Sequence, residues 1–211
     1  MKFFAYLYNR GVILMDKCPW ALTHPLLEKY HDEVWGKPVY DENKLYEMLV
    51  LESFQAGLSW LTILKRYDGF KAAFCDFEWQ KVARFTADDV TRLLQNETII
   101  RHRGKIEATI NNAQVLQKLA NSQVSLYDLL WDEVGHQQIL NHWQFSEEVP
   151  SQDAIAQRLA KKLKKLGFKF VGPTTCYSLM QACGLVNDHL ESCPSWKKCQ
   201  EVDFGDGSVS Y

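Results

Sequence analysis

The stretch KKLKKLGFKFVGPTT, Lys161 to Thr175, decides how this chain is read. Lysines crowd the end of one apolar-periodic segment, Gly167 and Gly172 bracket a short turn, and Pro173 suits the first position of a new helix. Upstream, Ile155, Leu159, Leu163 and Leu166 recur at helical spacing after Ser151 and stop at Gly167, which predicts a helix closed by a glycine cap. Downstream, the periodicity predicts a helix from Pro173 to about Leu185. Two helices joined by a six-residue turn leave free amide N–H groups at the start of the second, beside lysines, and such a start binds phosphate. The plainer reading is a solvated lysine-rich helix end. The G-x-x-x-x-G spacing superficially matches a nucleotide-binding loop, but Pro173-Thr174 stands where Lys-Ser/Thr is required and no strand precedes it, so triphosphate binding is rejected.

Working outward, the same pattern repeats. Leu45, Met48, Leu49 and Ala56 share a helical stripe, with Asp41 as a cap and Gly57 near the end. Thr86 can cap a helix through Val90, Leu93 and Leu94, and "RHRGK", Arg101 to Lys105, leads into another carrying Ile106, Ile110, Ala113 and Leu116. Strict apolar alternation is nearly absent, so the expected fold class is all-α. Basic and acidic residues almost balance, 24 against 26, so any nucleic-acid surface must come from local clusters such as Lys161–Lys165 and Arg101–Lys105. No run of about 18 apolar residues occurs, and no membrane partner is expected. The opening MKFFAYLY breaks at Asn9-Arg10-Gly11 before a signal-like core forms. A chain of this size does not need disulfide staples, so its six cysteines point to a reducing, cytoplasmic setting. Residues 1–14 read as an extension ahead of Met15, residues 15–196 as one domain of two helical lobes, and residues 197–211, rich in Gly and Ser, as a flexible tail.

Two constellations could carry chemistry. Cys18 and His31 lie thirteen apart, and His189 and Cys193 four apart in "NDHLESC". Two thiolates and two imidazoles can close a tetrahedral metal site, and an i, i+4 pair shares one helical face. Spacing alone fits a buried thiol beside a satisfied core histidine equally well. A Cys-His nucleophile would also need an orienting third group that nothing marks. The second constellation centres on Glu52, which continues the stripe of Leu45, Met48 and Leu49. A carboxylate on a core-facing stripe is costly unless it is paired or serves a site. With Trp20, Tyr30, Trp35 and Trp60 it could box a flat cationic ring; an aromatic core with Glu52 at its edge is the alternative.

Taken together, "CPW", "YHDEVWG", "LYEM", "LESFQAGLSWLTIL", "IIRHRGKI", "GFKFVGPTTCYSLMQACGLVNDH" and the trailing Cys, from Met15 to Cys193, resemble DNA-3-methyladenine glycosylase I, a helix-hairpin-helix base-excision enzyme. The resemblance implies a helix-hairpin-helix glycosylase fold in which a structural Zn²⁺, held by Cys18, His31, His189 and Cys193, ties together the chain ends. It implies a base pocket of Glu52, Trp60, Tyr30 and Trp20, with Glu52 as the catalytic carboxylate. Gly57 and Leu58 are the implied wedge, and the turn Gly167, Phe168, Lys169, Phe170, Val171, Gly172 the implied DNA-phosphate hairpin. Ser53, Phe54, Leu27 and Pro173 depart from the family's more usual residues. The implied substrate is double-stranded alkylated DNA, the product the 3-methyladenine base, and the enzyme a monomer. Related enzymes keep an Asp where Asn187 stands here, which implies water as nucleophile and no Schiff-base lysine.

Overall fold

A computed structural model describes residues 17–200. Nearly all regular structure in it is helical: α1 (Pro25–Glu33), α2 (Glu42–Gln55), α3 (Trp60–Leu64), α4 (Tyr67–Ala73), α5 (Trp79–Val82), α6 (Ala87–Gln95), α7 (Arg103–Ala120), α8 (Leu126–Trp131), α9 (Ala154–Lys165), α10 (Pro173–Ala182) and α11 (Pro194–Lys198). The described strands are β1 (Ile139–Leu140) and β2 (Val186–Asn187), which pair in parallel with Ile139 opposite Val186. No helix among the described residues is long and apolar enough to cross a membrane. The expected extension at residues 1–14 lies outside the described residues.

Local chemistry sets the helix ends. Asp41 caps α2 by accepting from the Lys44 N–H at 2.9 Å, and Asp89 closes the start of α6 by accepting from the Thr86 N–H at 2.9 Å. The cap of α9 is Asp153, two residues after Ser151: its carboxylate accepts from the Ala156 N–H. A carboxylate also suits the positive end of the helix dipole, which the sequence spacing could not weigh. Helix α10 ends at Ala182, three residues earlier than its pattern suggested, because Gly184 turns the chain into β2 through a positive φ of 66°.

Helix α2 is the centre of the molecule. Every residue from Leu45 to Phe54 is buried, and the helix packs against α3, α7, α8 and α10. The sequence showed one stripe; α2 is enclosed on all sides, the position that Tyr46, Val50, Leu51 and Phe54 demand. Helix α9 and α10 pack on each other across the Lys161–Thr175 turn. Gly167, at φ 97°, donates to the Lys164 carbonyl, and Phe168 donates to the Leu163 carbonyl, both at 3.0 Å. These two bonds close α9 in a Schellman cap, with Phe168 and Leu163 making its apolar seal. The expected tail boundary at residue 196 falls inside α11. Trp196 donates to the Asn141 carbonyl at 2.7 Å and Cys199 is buried, so the packed structure continues to residue 200.

Candidate functional site

Helix α1 delivers two neighbours to two places. His24 caps it, accepting from the Leu26 N–H, and Pro25 starts it; its inward face then buries Tyr30 and His31. Tyr30 faces a cavity of about 360 Å³, whose walls also include Trp20, Trp35, Glu52, Gln55 and Trp60. The Tyr30 and Trp60 rings are 5.0 Å apart and Trp20 and Trp35 5.1 Å apart, so these four rings pack together as an aromatic part of the wall. Ser146, Val149 and Pro150 close another side.

Glu52, in the last turn of α2, is 5% exposed. Its Oε2 is buried and has no hydrogen-bond partner among the described residues; the same holds for Nε1 of Trp60. Burial pushes the Glu52 carboxyl up to about 8. An unpartnered carboxylate oxygen in a native interior costs free energy, and a ligand that supplies a donor or a positive charge recovers it.

His31 turns to a second cluster. Cys18, His31, His189 and Cys193 are all buried, and their ligand atoms lie within 4.8 Å of one another. His31 Nε2 is 3.1 Å from His189 Nδ1 and 3.5 Å from Cys193 Sγ; His189 Nδ1 is 3.7 Å from Cys18 Sγ and 3.9 Å from Cys193 Sγ. Tetrahedral Zn–N and Zn–S bonds would give edges of roughly 3.3 to 3.8 Å, so the donor set fits such an ion. The far side of each imidazole is engaged: His31 Nδ1 meets Asp32 at 2.8 Å and His189 Nε2 meets the Trp35 carbonyl at 3.0 Å. Those contacts leave one nitrogen of each ring for the centre, the arrangement that ligating histidines use. The Leu190 N–H donates to Cys18 Sγ at 3.4 Å. Gly36 is needed here as well: at φ 78° it passes over His189, and a Cβ would stand 2.9 Å from the ring. Cys18 also lines the cavity, so the cluster forms part of its wall.

Asp32 and Gly36 escaped the reading of the sequence, although both lie in the quoted block YHDEVWG. Asp188 escaped it too. Asn187, the residue expected to stand where related enzymes keep an Asp, is fully buried and outside the cavity wall, its amide donating to the Trp196 carbonyl and accepting from the His189 N–H. It is Asp188 that lines the cavity, accepting from Asn141 and Trp143 on one oxygen and from Tyr177 and Gln181 on the other, all within 2.8 Å. Four donors satisfy an acceptor-only group in the interior.

The remaining candidates sit outside the cavity. Gly57, at φ 80°, and Leu58, 39% exposed, follow the end of α2. In the α9–α10 turn, Lys169 and Phe170 are exposed, whereas Phe168 and Val171 are core residues. What the turn presents outward is therefore its backbone and two side chains, because the Schellman seal draws Phe168 inward. Of the Arg101–Lys105 cluster, Lys105 is likewise buried.

A helical protein with an open, aromatic-walled cavity that holds an unsatisfied carboxylate has the chemistry of a site for a flat heterocycle. Comparison sharpens that reading. The methyladenine glycosylase family model matches residues 20–196, and the chain belongs to that family. It is 46% identical over 179 residues to DNA-3-methyladenine glycosylase 1 of Escherichia coli (strain K12), covering 85% of this chain and 96% of the relative. A crystal structure of 3-methyladenine DNA glycosylase I superposes with a TM-score of 0.83 at 46% identity, covering 85% of this chain and 98% of that one. A variant of 3-methyladenine DNA glycosylase I in complex with 3-methyladenine superposes at 0.81 with 42% identity, covering 84% and 96%.

Proposed function

We propose that this chain flips N3-methyladenine out of double-stranded alkylated DNA and excises it, leaving an abasic site for repair. It is a glycosylase acting on N-glycosyl bonds, as its family membership and its 46% identity to a DNA-3-methyladenine glycosylase establish. The observation that carries the substrate is the pair of unpartnered buried groups, Glu52 Oε2 and Trp60 Nε1, in the walls of one aromatic cavity.

The lesion is a purine bearing a delocalised positive charge. As it enters, Glu52 gives up its proton to bulk water and accepts from the exocyclic amine, while Trp60, Tyr30 and Trp20 cover the faces and edges of the ring. Guanine presents a carbonyl in place of that amine and sets oxygen against oxygen, which disfavours it. The C1′–N bond then breaks with its electron pair leaving on the base. Because the base was cationic it departs neutral; water adds its oxygen to C1′ and releases a proton. The leaving group needs little acid assistance, so the work lies in flipping and holding. Gly57 and Leu58 fill the gap left in the stack. The α9–α10 turn acts as the hairpin of a helix-hairpin-helix element, its amides and Lys169 gripping the phosphate backbone.

Cys18, His31, His189 and Cys193 would hold a structural Zn²⁺, which with four protein donors would supply cross-linking and not a reactive water. The deciding assay is incubation of the purified monomer with methylated duplex DNA, followed by identification of the bases released. Release of 3-methyladenine is expected, with abasic DNA remaining; binding without release would reduce the protein to a DNA-binding module. Glu52→Ala is expected to abolish most release while the protein stays folded.

A further inference from the structure

Helix α7 contributes nothing to the cavity wall, yet its buried polar side chains hold both segments assigned to DNA. Lys105 is 5% exposed, and its ammonium donates to the carbonyls of Phe54 at 2.8 Å and Ala56 at 2.6 Å. Phe54 lies in the last turn of α2 and Ala56 caps it, so both carbonyls are ones the helix cannot satisfy itself, and a cation there also opposes the negative end of the helix dipole. The next residues are Gly57 and Leu58. Leu58 donates back to the Gln55 carbonyl at 2.6 Å, so the loop leaves α2 in one tight turn whose base Lys105 fixes.

Seven residues along α7 on the same face, Asn112 is 2% exposed and grips the other segment. Its Nδ2 donates to the Lys169 carbonyl at 3.0 Å and its Oδ1 accepts from the Lys169 N–H at 2.8 Å. Asn111 adds a bond to the Gly167 carbonyl at 2.9 Å. Two helical turns separate the two grips, so α7 itself sets their spacing at roughly 10 Å.

We propose that α7 is a positioning strut, in which Lys105 and Asn112 hold the wedge loop and the phosphate-gripping turn in one register. The duplex is then held on one side while the gap is filled on the other. Neither Lys105 nor Asn112 lines the cavity. The strut rests on the excision reading above, and its loss should matter only where a base must be extracted from a stack.

The test compares wild type with Lys105→Met, and Asn112→Ala as an independent break at the other end. Three readouts are taken: release of 3-methyladenine from duplex, release from single-stranded methylated DNA, and binding of free 3-methyladenine followed by tryptophan fluorescence. Each variant is expected to lose about tenfold or more on duplex while keeping single-strand release and base affinity within about twofold, since a misplacement of an ångström can cost that much. In the Leu58→Ala background the Lys105→Met loss should shrink, because the wedge through which it acts is gone. Equal losses on both DNAs, loss of base binding, no loss on duplex, or full additivity with Leu58→Ala overturns the strut. If Lys105→Met does not fold, the Asn112→Ala readouts decide alone. Wild type that releases no 3-methyladenine from either DNA overturns the excision reading instead, and the strut with it.

Discussion

At the scale of single residues, Glu52 is the group whose environment and chemistry are most at odds. Its carboxyl is buried without a partner for Oε2 and titrates at about 8, so in the free protein at neutral pH it is largely protonated. If base recognition needs the anion, kcat/KM for excision should rise with pH and level off above about 8, because that ratio reports the free enzyme. Glu52→Gln should flatten the profile and lower the rate on the order of a hundredfold. A wild-type profile without that inflection would remove Glu52 from its role. Linkage gives an independent check. A carboxyl whose folded pKa is raised contributes its stability fully below its unfolded value near 4.5 and loses it as pH rises through about 8. Urea midpoints of the wild type should therefore fall across that window, and those of Glu52→Gln should fall less. That Glu52 sits on an apolar stripe was legible from Leu45, Met48 and Leu49. That it lacks a partner was not, since a partner would have come from residues distant in sequence.

At the scale of elements, the Lys161–Thr175 turn was the most legible part of the chain, because glycine caps and N1 prolines act through local backbone geometry. Gly167 occupies φ 97° and makes the first of the two Schellman bonds. Gly167→Ala should cost about 1 kcal/mol in denaturant unfolding with an unchanged slope, from the strain of a Cβ at positive φ. It should also weaken duplex binding, since the same turn would present its amides less regularly. Stability equal to wild type would mean that the left-handed residue is not needed. The inward turn of Phe168, Val171 and Lys105 was not legible. Their sequences read as surface because charge and turn signals surround them, whereas α7 and the Schellman seal draw these side chains into the interior.

At the scale of the whole molecule, the Cys and His cluster joins residues at opposite ends of the described chain. Cys18 and His189 are separated by 171 positions, and an ion between them would close nearly the entire fold into one loop. Removing it with a strong chelator should lower Tm by several degrees or more and impair excision only as the wall of the cavity loosens. Cys18→Ser should bind well under one equivalent of zinc by metal analysis; a full equivalent in that variant would overturn the ligand set. The second contacts of the imidazoles, to Asp32 and to the Trp35 carbonyl, are what a sequence cannot show, because they depend on where α1 places its neighbours.

The sequence by itself determined the helices, the glycine-capped turn and the types of residue available for a base pocket and a metal cluster, since helical periodicity, caps and turn residues act within a few positions. Family resemblance then selected which of those residues belong together. Only the tertiary structure decided that Asp188, and not Asn187, lines the cavity, that Glu52 and Trp60 are left without partners there, and that Lys105 faces inward to close α2. Each of these depends on burial and on partners brought from distant parts of the chain, which close packing of the helices alone can fix.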